Sequence, residues 1–470
     1  MRLFLVFKKD ILSKFNKNMK VVQKVEQAIN AETIPPGSII YTAGNAAAPQ
    51  VLLRQIADDT TIRDVEMLSV LLLGDIGKLF DPEVTNRICH RVIFNGPHSR
   101  EAMNTGGASY QLIHLSDIGN QMRNFVKPNV VFLMVAGPDN GGNYSYGTTV
   151  EGCKGAVDAA LAGKGTIIVE RNAQMPFVLG TTIHESDIDY LIDTDYNLPT
   201  SPVKEPDERA RRIAKIITEL YIKDGSTLQY GIGEVPEAVT DAIIDKGIKD
   251  LGIHTELFAD AMRKLVEKGI VTNKYLDFNF SLASIFLARD KAGYDWMNFN
   301  SSIQSRPSDF TNYVPNIARM PKMLAINSAI GVDLHSNVWA DSLNATRIYS
   351  GIGGQADFLR GSYLSKGGVP IIAMKSTTSK GQSKIMMKCP EGITTSAIAA
   401  DPVVIVTEQG AFDPRGLNLA EHAVGIAHLA QPECREKLLK YIYESKEYHK
   451  PQQALNGKPP KGFTTYDMVK

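Results

Sequence analysis

The sequence predicts an α/β protein made of two related domains with mainly parallel sheets. Three observations carry this expectation: short apolar runs rich in β-branched residues, helix-length patterns between them, and internal echoes that pair one half of the chain with the other. The runs at 130–136, 165–169, 228–230, 323–326, 369–373 and 403–407 have the length and composition of buried strands. Helical periodicity occupies 150–162, 208–221, 237–248 and 255–268. Strands that alternate with helices of this length build parallel sheets through crossover connections.

The first echo joins Gly37-Ser38-Ile39-Ile40-Tyr41, followed by small residues and Pro49, to Gly225-Ser226-Thr227-Leu228-Gln229-Tyr230, followed by Gly231-Ile232-Gly233 and Pro236. Each proline is expected near a helix start, where its missing N–H is harmless. The second echo joins the run beginning at Val130 to the run beginning at Met323. Chance likeness between two strand–turn–helix units is the alternative. A polar stretch with three prolines, 197–206, is the best boundary. Domains are therefore expected at 19–200 and 207–445. The Pro/Gly-bearing tail beyond Lys450 is expected to be an irregular surface segment.

Bulk properties narrow the function. The 470 residues contain 51 basic and 51 acidic side chains, a balance that argues against a nucleic-acid partner. No apolar run reaches the roughly 18 residues of a membrane span, so no membrane partner is expected. Cys89, Cys153, Cys389 and Cys434 are scattered without a CxxC pair, which leaves no zinc motif and fits a reducing, cytoplasmic setting. Residues 1–18 are basic and could line one apolar helical face. An upstream extension before a second start at Met19 is favoured over a mitochondrial-type presequence, because Arg and Ser are sparse.

Four segments could carry chemistry. In 229–238 a strand ends, Gly231 and Gly233 follow, and a helix is expected from Pro236. Backbone amides there could approach an anion at a helix N-terminus, although such turns commonly just connect elements and neither GxGxxG nor GxxxxGK[ST] is present. Glu256 falls where the strand Leu251–Ile253 hands over to a helix carrying Leu257, Met262 and Leu265. A carboxylate at that end of a strand can act as a nucleophile; the competing role is a first-turn acid that complements the helix dipole. The glycine-rich 350–358 loop could supply oxyanion-binding amides or be only a tight turn. Lys375 and Lys380 bracket hydroxyl residues suited to phosphates or simply to solvent. His254 could line the site or be packed for structural reasons. The remaining histidines form no set, and neither HExxH nor GxSxG occurs.

In their order and spacing, these segments resemble the acetyl-CoA hydrolase/transferase family. The likeness spans about residues 20 to 440. It rests on Phe94-Asn95-Gly96, Arg100, Ser116, Ala136-Gly137-Pro138-Asp139, the Glu170–Pro176 segment and Ile183-His184, then on GIGEVPEAV, DLGIHTELFAD, INSAIGVDL, GIGGQADFLRG, SKGG and VVIVTEQGAFDPRG. The resemblance implies two class I CoA-transferase-like α/β domains with a site in the cleft between them. It implies that Glu256 becomes a glutamyl-CoA thioester and that the Gly354 amide serves the oxyanion. It assigns CoA or substrate contacts to Gly231, Ile232, Gly233, Glu234, Val235, Ser350, Gly353, Gln355 and Lys380, and acyl or carboxylate contact to Asn312.

The implied activity is CoA exchange between a short-chain acyl-CoA and a carboxylate, with acetate and a 4-hydroxybutyrate-, butyrate- or succinate-type acid as expected partners. Coenzyme A enters as substrate, with no tightly bound cofactor and no metal. Acyl-CoA hydrolysis is the alternative reaction, and a catalytically silent acyl-CoA-binding protein is the alternative of another class. Family members are often dimers, but no segment here identifies an interface. The sequence departs from the family pattern at Ala261, Gly331 and Gln409, which leaves the nucleophile in place and the acyl preference open.

Overall fold

A computed structural model describes residues 19–201, 204–448 and 458–469. The basic segment 1–18, with its presequence alternative, lies outside the described residues. The chain divides into two compact units. One comprises residues up to Gln111, Asp117–Thr200 and Ser284–Asp309; the other comprises Leu112–Ser116, Ser201–Ala283 and Phe310 onward.

The first unit is organised on an eight-stranded sheet. Its strands run, from edge to edge, Lys20–Val22, Tyr190–Thr194, Thr166–Asn172, Val130–Val135, Ile39–Thr42, Val65–Ser69, Ile88–Val92 and Ala108–Tyr110. Every neighbouring pair is parallel. The strand Val130–Val135 is buried at all positions, as expected for a parallel strand covered on both faces.

The second unit carries a seven-stranded sheet in the order Gly252–Ile253, Thr227–Tyr230, Met323–Asn327, Val369–Ala373, Val404–Thr407, Gly410–Phe412 and Phe463–Thr465. Its first five strands are parallel and the last two pairings are antiparallel. The two sequence echoes occupy matching places. Ile39–Thr42 pairs with Val130–Val135 in one sheet, and Thr227–Tyr230 pairs with Met323–Asn327 in the other. The intervening chain first adds to the far side, three strands in the first sheet and one in the second, so each echoed pair marks a point where strand order reverses. Ligands in open α/β sheets bind outside the carboxyl ends of strands at such points.

Three expectations need correction. The helix drawn over 255–268 begins only at Asp260; Leu257–Ala259 is a short strand, so Glu256 lies at a bend just before that strand rather than in a first helical turn. The helix expected from Pro236 spans Glu234–Lys246, with Gly233 at its N-cap. Pro236 falls in the first turn, where N–H groups have no intrahelical acceptor. The tail is not wholly irregular: Phe463–Thr465 pairs antiparallel with Gly410–Phe412, and burial of Phe463 in the second unit's core holds it there. The residues 449–457 of that tail lie outside the described set.

Candidate active site

The second unit gathers a cluster at the carboxyl end of its parallel strands. Strand Thr227–Tyr230 runs into Gly231-Ile232-Gly233, strand Gly252–Ile253 into His254-Thr255-Glu256, and strand Met323–Asn327 into Ser328. The His254 N–H donates to the Leu228 carbonyl at 3.3 Å, which continues the pairing of the first two strands. Asn327 and Gln229 bond side chain to side chain across the next pair, Nδ2 to Oε1 at 2.9 Å. The Gln355 Nε2 donates to the Ser328 carbonyl at 2.6 Å, tying the start of helix Gln355–Leu364 to the same rim.

Glu256 sits within this cluster. Its Oε2 accepts from Asn312 Nδ2 at 2.6 Å, and the Gly354 amide close by favours the charged carboxylate. Asn312 is fully buried, and its Oδ1 accepts from the Thr311 hydroxyl at 2.8 Å. Gly354 approaches so closely that a Cβ there would stand 2.0 Å from both Glu256 Oε2 and Asn312 Nδ2. Only glycine allows this backbone to lie against the carboxylate.

Electrostatics distinguish this carboxylate from a surface acid. Burial pushes the Glu256 pKa up to about 7, and the nearby Asp357 charge adds to the rise; the Asn312 and Gly354 donors oppose it. Asp357 is 5% exposed, and burial raises its own pKa as well. It accepts from Ser116 Oγ at 2.7 Å and from the Ser116 amide at 3.1 Å, and the nearby Asn312 side chain also favours its charged form. A carboxylate poised near neutrality beside fixed amide donors has the properties of an activated nucleophile.

The predicted residues divide by placement. Glu256, Asn312 and Gly354 are in direct contact. Gly353 adopts the left-handed φ of 60° beside them, and its carbonyl accepts from the Leu115 amide at 3.2 Å. Ser350 anchors the loop through Oγ to the Ala340 carbonyl at 3.2 Å. Ile232 is half exposed at the rim, and a Cβ added at Gly231 or Gly233 meets nothing within 4 Å, so that backbone is open to a ligand. Glu234 is paired with Lys375, which also binds Asp207 at 2.8 Å, while Val235 lies in the same first helical turn. Lys380 stands on an exposed turn closed by the Thr378–Gln382 bond, and no bond described for the Glu256 cluster includes it.

His254 is fully buried, its Nε2 bonded to the Thr311 carbonyl at 2.7 Å. Burial takes its pKa down to about 4, so it is a neutral packing group. Sequence reasoning did not single out Asp357. The available signal was an acid three residues past the glycine loop, in the first turn of an otherwise ordinary helix. Nor did it foresee that Lys375 is already engaged by two carboxylates. Among the described residues, no group of three or more His, Cys, Asp and Glu side chains is arranged to hold a metal ion, and no helix is long and apolar enough to cross a membrane.

Comparison with known proteins extends this picture. The family models described as the acetyl-CoA hydrolase/transferase N-terminal and C-terminal domains match residues 11–203 and 290–442. The chain is 34% identical over 381 residues to a 4-hydroxybutyrate coenzyme A transferase of Clostridium kluyveri, covering 80% of this chain and 86% of the relative. It is 31% identical over 359 residues to a butyryl-CoA:acetate CoA-transferase of Anaerostipes caccae, covering 73% and 78% respectively. Among solved structures, 4-hydroxybutyrate CoA-transferase from Porphyromonas gingivalis superposes with a TM-score of 0.74 at 28% identity, covering 90% of this chain and 97% of that one. RipA from Yersinia pestis superposes with a TM-score of 0.81 at 28% identity, covering 90% and 96%.

Proposed function

Since this chain belongs to the acetyl-CoA hydrolase/transferase family, we propose that it is a CoA-transferase whose covalent nucleophile is Glu256. The observation that carries this reading is the Glu256 carboxylate held against the Asn312 amide and the Gly354 backbone. Glu256 attacks the thioester carbonyl of an acyl-CoA and expels CoA thiolate, leaving an acyl-glutamyl anhydride. The thiolate then attacks the glutamyl carbonyl, the acid leaves as its carboxylate, and glutamyl-CoA thioester remains. A second carboxylate attacks that thioester, thiolate is again released, and its attack on the new acyl carbonyl yields the second acyl-CoA and free Glu256. The thioester bond energy is carried through each step, so the balance needs no ATP.

Each tetrahedral intermediate places negative charge on an oxygen beside Glu256. The Asn312 and Gly354 N–H groups are the donors poised to meet it. The open backbone at Gly231–Gly233, with Glu234 and Val235 opening the helix, offers amides for the CoA moiety. Ser350, Gly353 and Gln355 shape the glycine loop, and Lys380 supplies a cation on an exposed turn. Coenzyme A is a substrate in this scheme, and no tightly bound cofactor is invoked. The acids exchanged are proposed to be acetate and a short acid of the 4-hydroxybutyrate, butyrate or succinate type, from the activities named for the relatives.

Two relatives are named acetyl-CoA hydrolase, among them one from Neurospora crassa that is 28% identical over 287 residues. Acetyl-CoA loss measured with and without an added carboxylate separates the two reactions. Transfer predicts strict dependence on the carboxylate; equal loss without it supports hydrolysis. Replacing Glu256 by Ala should abolish exchange of labelled acetate into acetyl-CoA, and near-normal exchange by that variant would remove Glu256 from the mechanism.

A further inference from the structure

Two carboxyl groups flank one amide in this site. The Asn312 Nδ2 carries two hydrogens. One reaches Glu256 Oε2 at 2.6 Å, and the same side chain lies close enough to Asp357 to favour its charged form. Its Oδ1 is occupied by the Thr311 hydroxyl. Asp357 is in turn fixed by Ser116, which donates both its hydroxyl and its backbone N–H. Ser116 belongs to Leu112–Ser116, the short segment of the first half of the chain that packs with the second unit. The adjoining Leu115 amide donates to the Gly353 carbonyl at 3.2 Å, so this segment touches both the glycine loop and the acid behind it.

The arrangement solves a problem created by the proposed reaction. Glu256 loses its charge when it becomes an anhydride or a thioester. An amide held only by Glu256 would then be free to turn and present its carbonyl oxygen to the reacting group, just before an oxyanion forms there. A second carboxylate that never reacts keeps the N–H edge facing inward. We infer that Asp357, anchored by Ser116, is a positioning residue that holds the Asn312 amide with one N–H aimed at the nucleophile throughout the exchange. This rests on Glu256 being the nucleophile.

The titratable groups that act on Asp357 are His114, from the Leu112–Ser116 segment, and Glu256, through their mutual proximity. His254 packs at 6.1 Å between ring centroids on Phe358 of the same helix, and burial keeps it neutral. Asp357 charge favours the protonated form of Glu256. Removing that charge therefore lowers the Glu256 pKa and moves the acid limb of activity to lower pH.

The test is exchange of labelled acetate with acetyl-CoA, catalysed by the full chain and followed across pH. Asp357→Asn should lower kcat about 100-fold, the scale of a small misplacement at a reacting centre. KM for acetyl-CoA should stay within about threefold, and the acid limb should move to lower pH. Ser116→Ala keeps both carboxyl groups and should lose about tenfold in kcat, part of the Asp357→Asn effect. If Asp357→Asn does not fold, Ser116→Ala decides alone, and wild-type kcat in that variant overturns the inference. Exchange by folded Asp357→Asn within about threefold of wild type overturns it, as does a loss of activity with the limb unmoved. Glu256→Ala that still exchanges defeats the nucleophile assignment instead. A silent Glu256→Ala beside an unimpaired Asp357→Asn defeats only the positioning role.

Discussion

Gly354→Ala is the sharpest perturbation of the site, because one methyl group meets two functional side chains at once. The added Cβ would lie 2.0 Å from Glu256 Oε2 and 2.0 Å from Asn312 Nδ2. Non-bonded heavy atoms settle at about 3.5 to 4.0 Å, so the carboxylate and the amide must each retreat by more than about 1 Å. A displacement of that size at a reacting centre costs about 100-fold, and loss of an oxyanion donor costs about 100- to 1,000-fold. The two effects share the same atoms and do not simply multiply. The expected loss in kcat is about 1,000-fold, or about 4 kcal/mol of transition-state stabilisation. The backbone should tolerate the change, since φ −100° and ψ 10° at Gly354 are open to alanine. Steady-state exchange between acetyl-CoA and labelled acetate, with thermal melting in parallel, measures both. A folded Gly354→Ala enzyme retaining kcat within about tenfold of wild type would refute the contact argument.

Other consequences follow from the same geometry. Glu256 must be ionised to attack and its pKa stands at about 7, so kcat/KM should fall about tenfold per pH unit below that value; a flat profile from pH 5 to 8 would contradict it. The raised pKa also means that ionised Glu256 opposes folding, an effect absent below the unfolded pKa of roughly 4.3 and growing as pH rises through about 7. Glu256→Gln should therefore gain melting temperature relative to wild type between pH 6 and 8, and a constant difference across that range would count against the burial argument. Asn312→Ala removes a donor that favours the charged form, so its acid limb should move to higher pH while kcat falls about 100-fold, and a shift in the other direction would overturn the assignment of that bond. Gly331→Glu restores the residue common in the family, but a Cβ at Gly331 would lie 2.3 Å from the buried Trp339 ring. Urea unfolding should show a loss of about 1 to 3 kcal/mol, and unchanged stability would show that the ring yields freely.

The strands were legible because parallel strands covered on both faces must be continuously apolar, as Val130–Val135 is and as 404–406 is up to the closing Thr407. The paired echoes were legible for the same reason, together with the glycines and prolines that follow each strand. Local pattern misled at 255–259. Leu257, Met262 and Leu265 keep helical spacing, yet the first of them belongs to a short strand, and tertiary contacts rather than periodicity set the helix start at Asp260. The tail misled because a high Pro and Gly content hid Phe463–Thr465, whose pairing with Gly410–Phe412 is non-local.

Within the site, Glu256, Asn312 and Gly354 were reached through the order of motifs. Their mutual contact depends on three segments separated by dozens of residues. Asp357 was illegible because its character comes from burial and from Ser116, 241 positions earlier in the chain. The departure at Gly331 was visible as a substitution, but its physical cause, the Trp339 ring, emerges only from packing.

The central claim is that the Glu256 side chain itself becomes the carrier of CoA. Incubating the enzyme with acetyl-CoA, quenching with borohydride and analysing the peptide that contains Glu256 by mass spectrometry tests it directly. Reduction of a glutamyl thioester turns that carboxyl group into a primary alcohol, and the corresponding mass loss should appear at Glu256 alone and only when acetyl-CoA is present. Sustained exchange by an enzyme whose Glu256 peptide stays unmodified, or a reduced adduct at another carboxylate, would contradict the account.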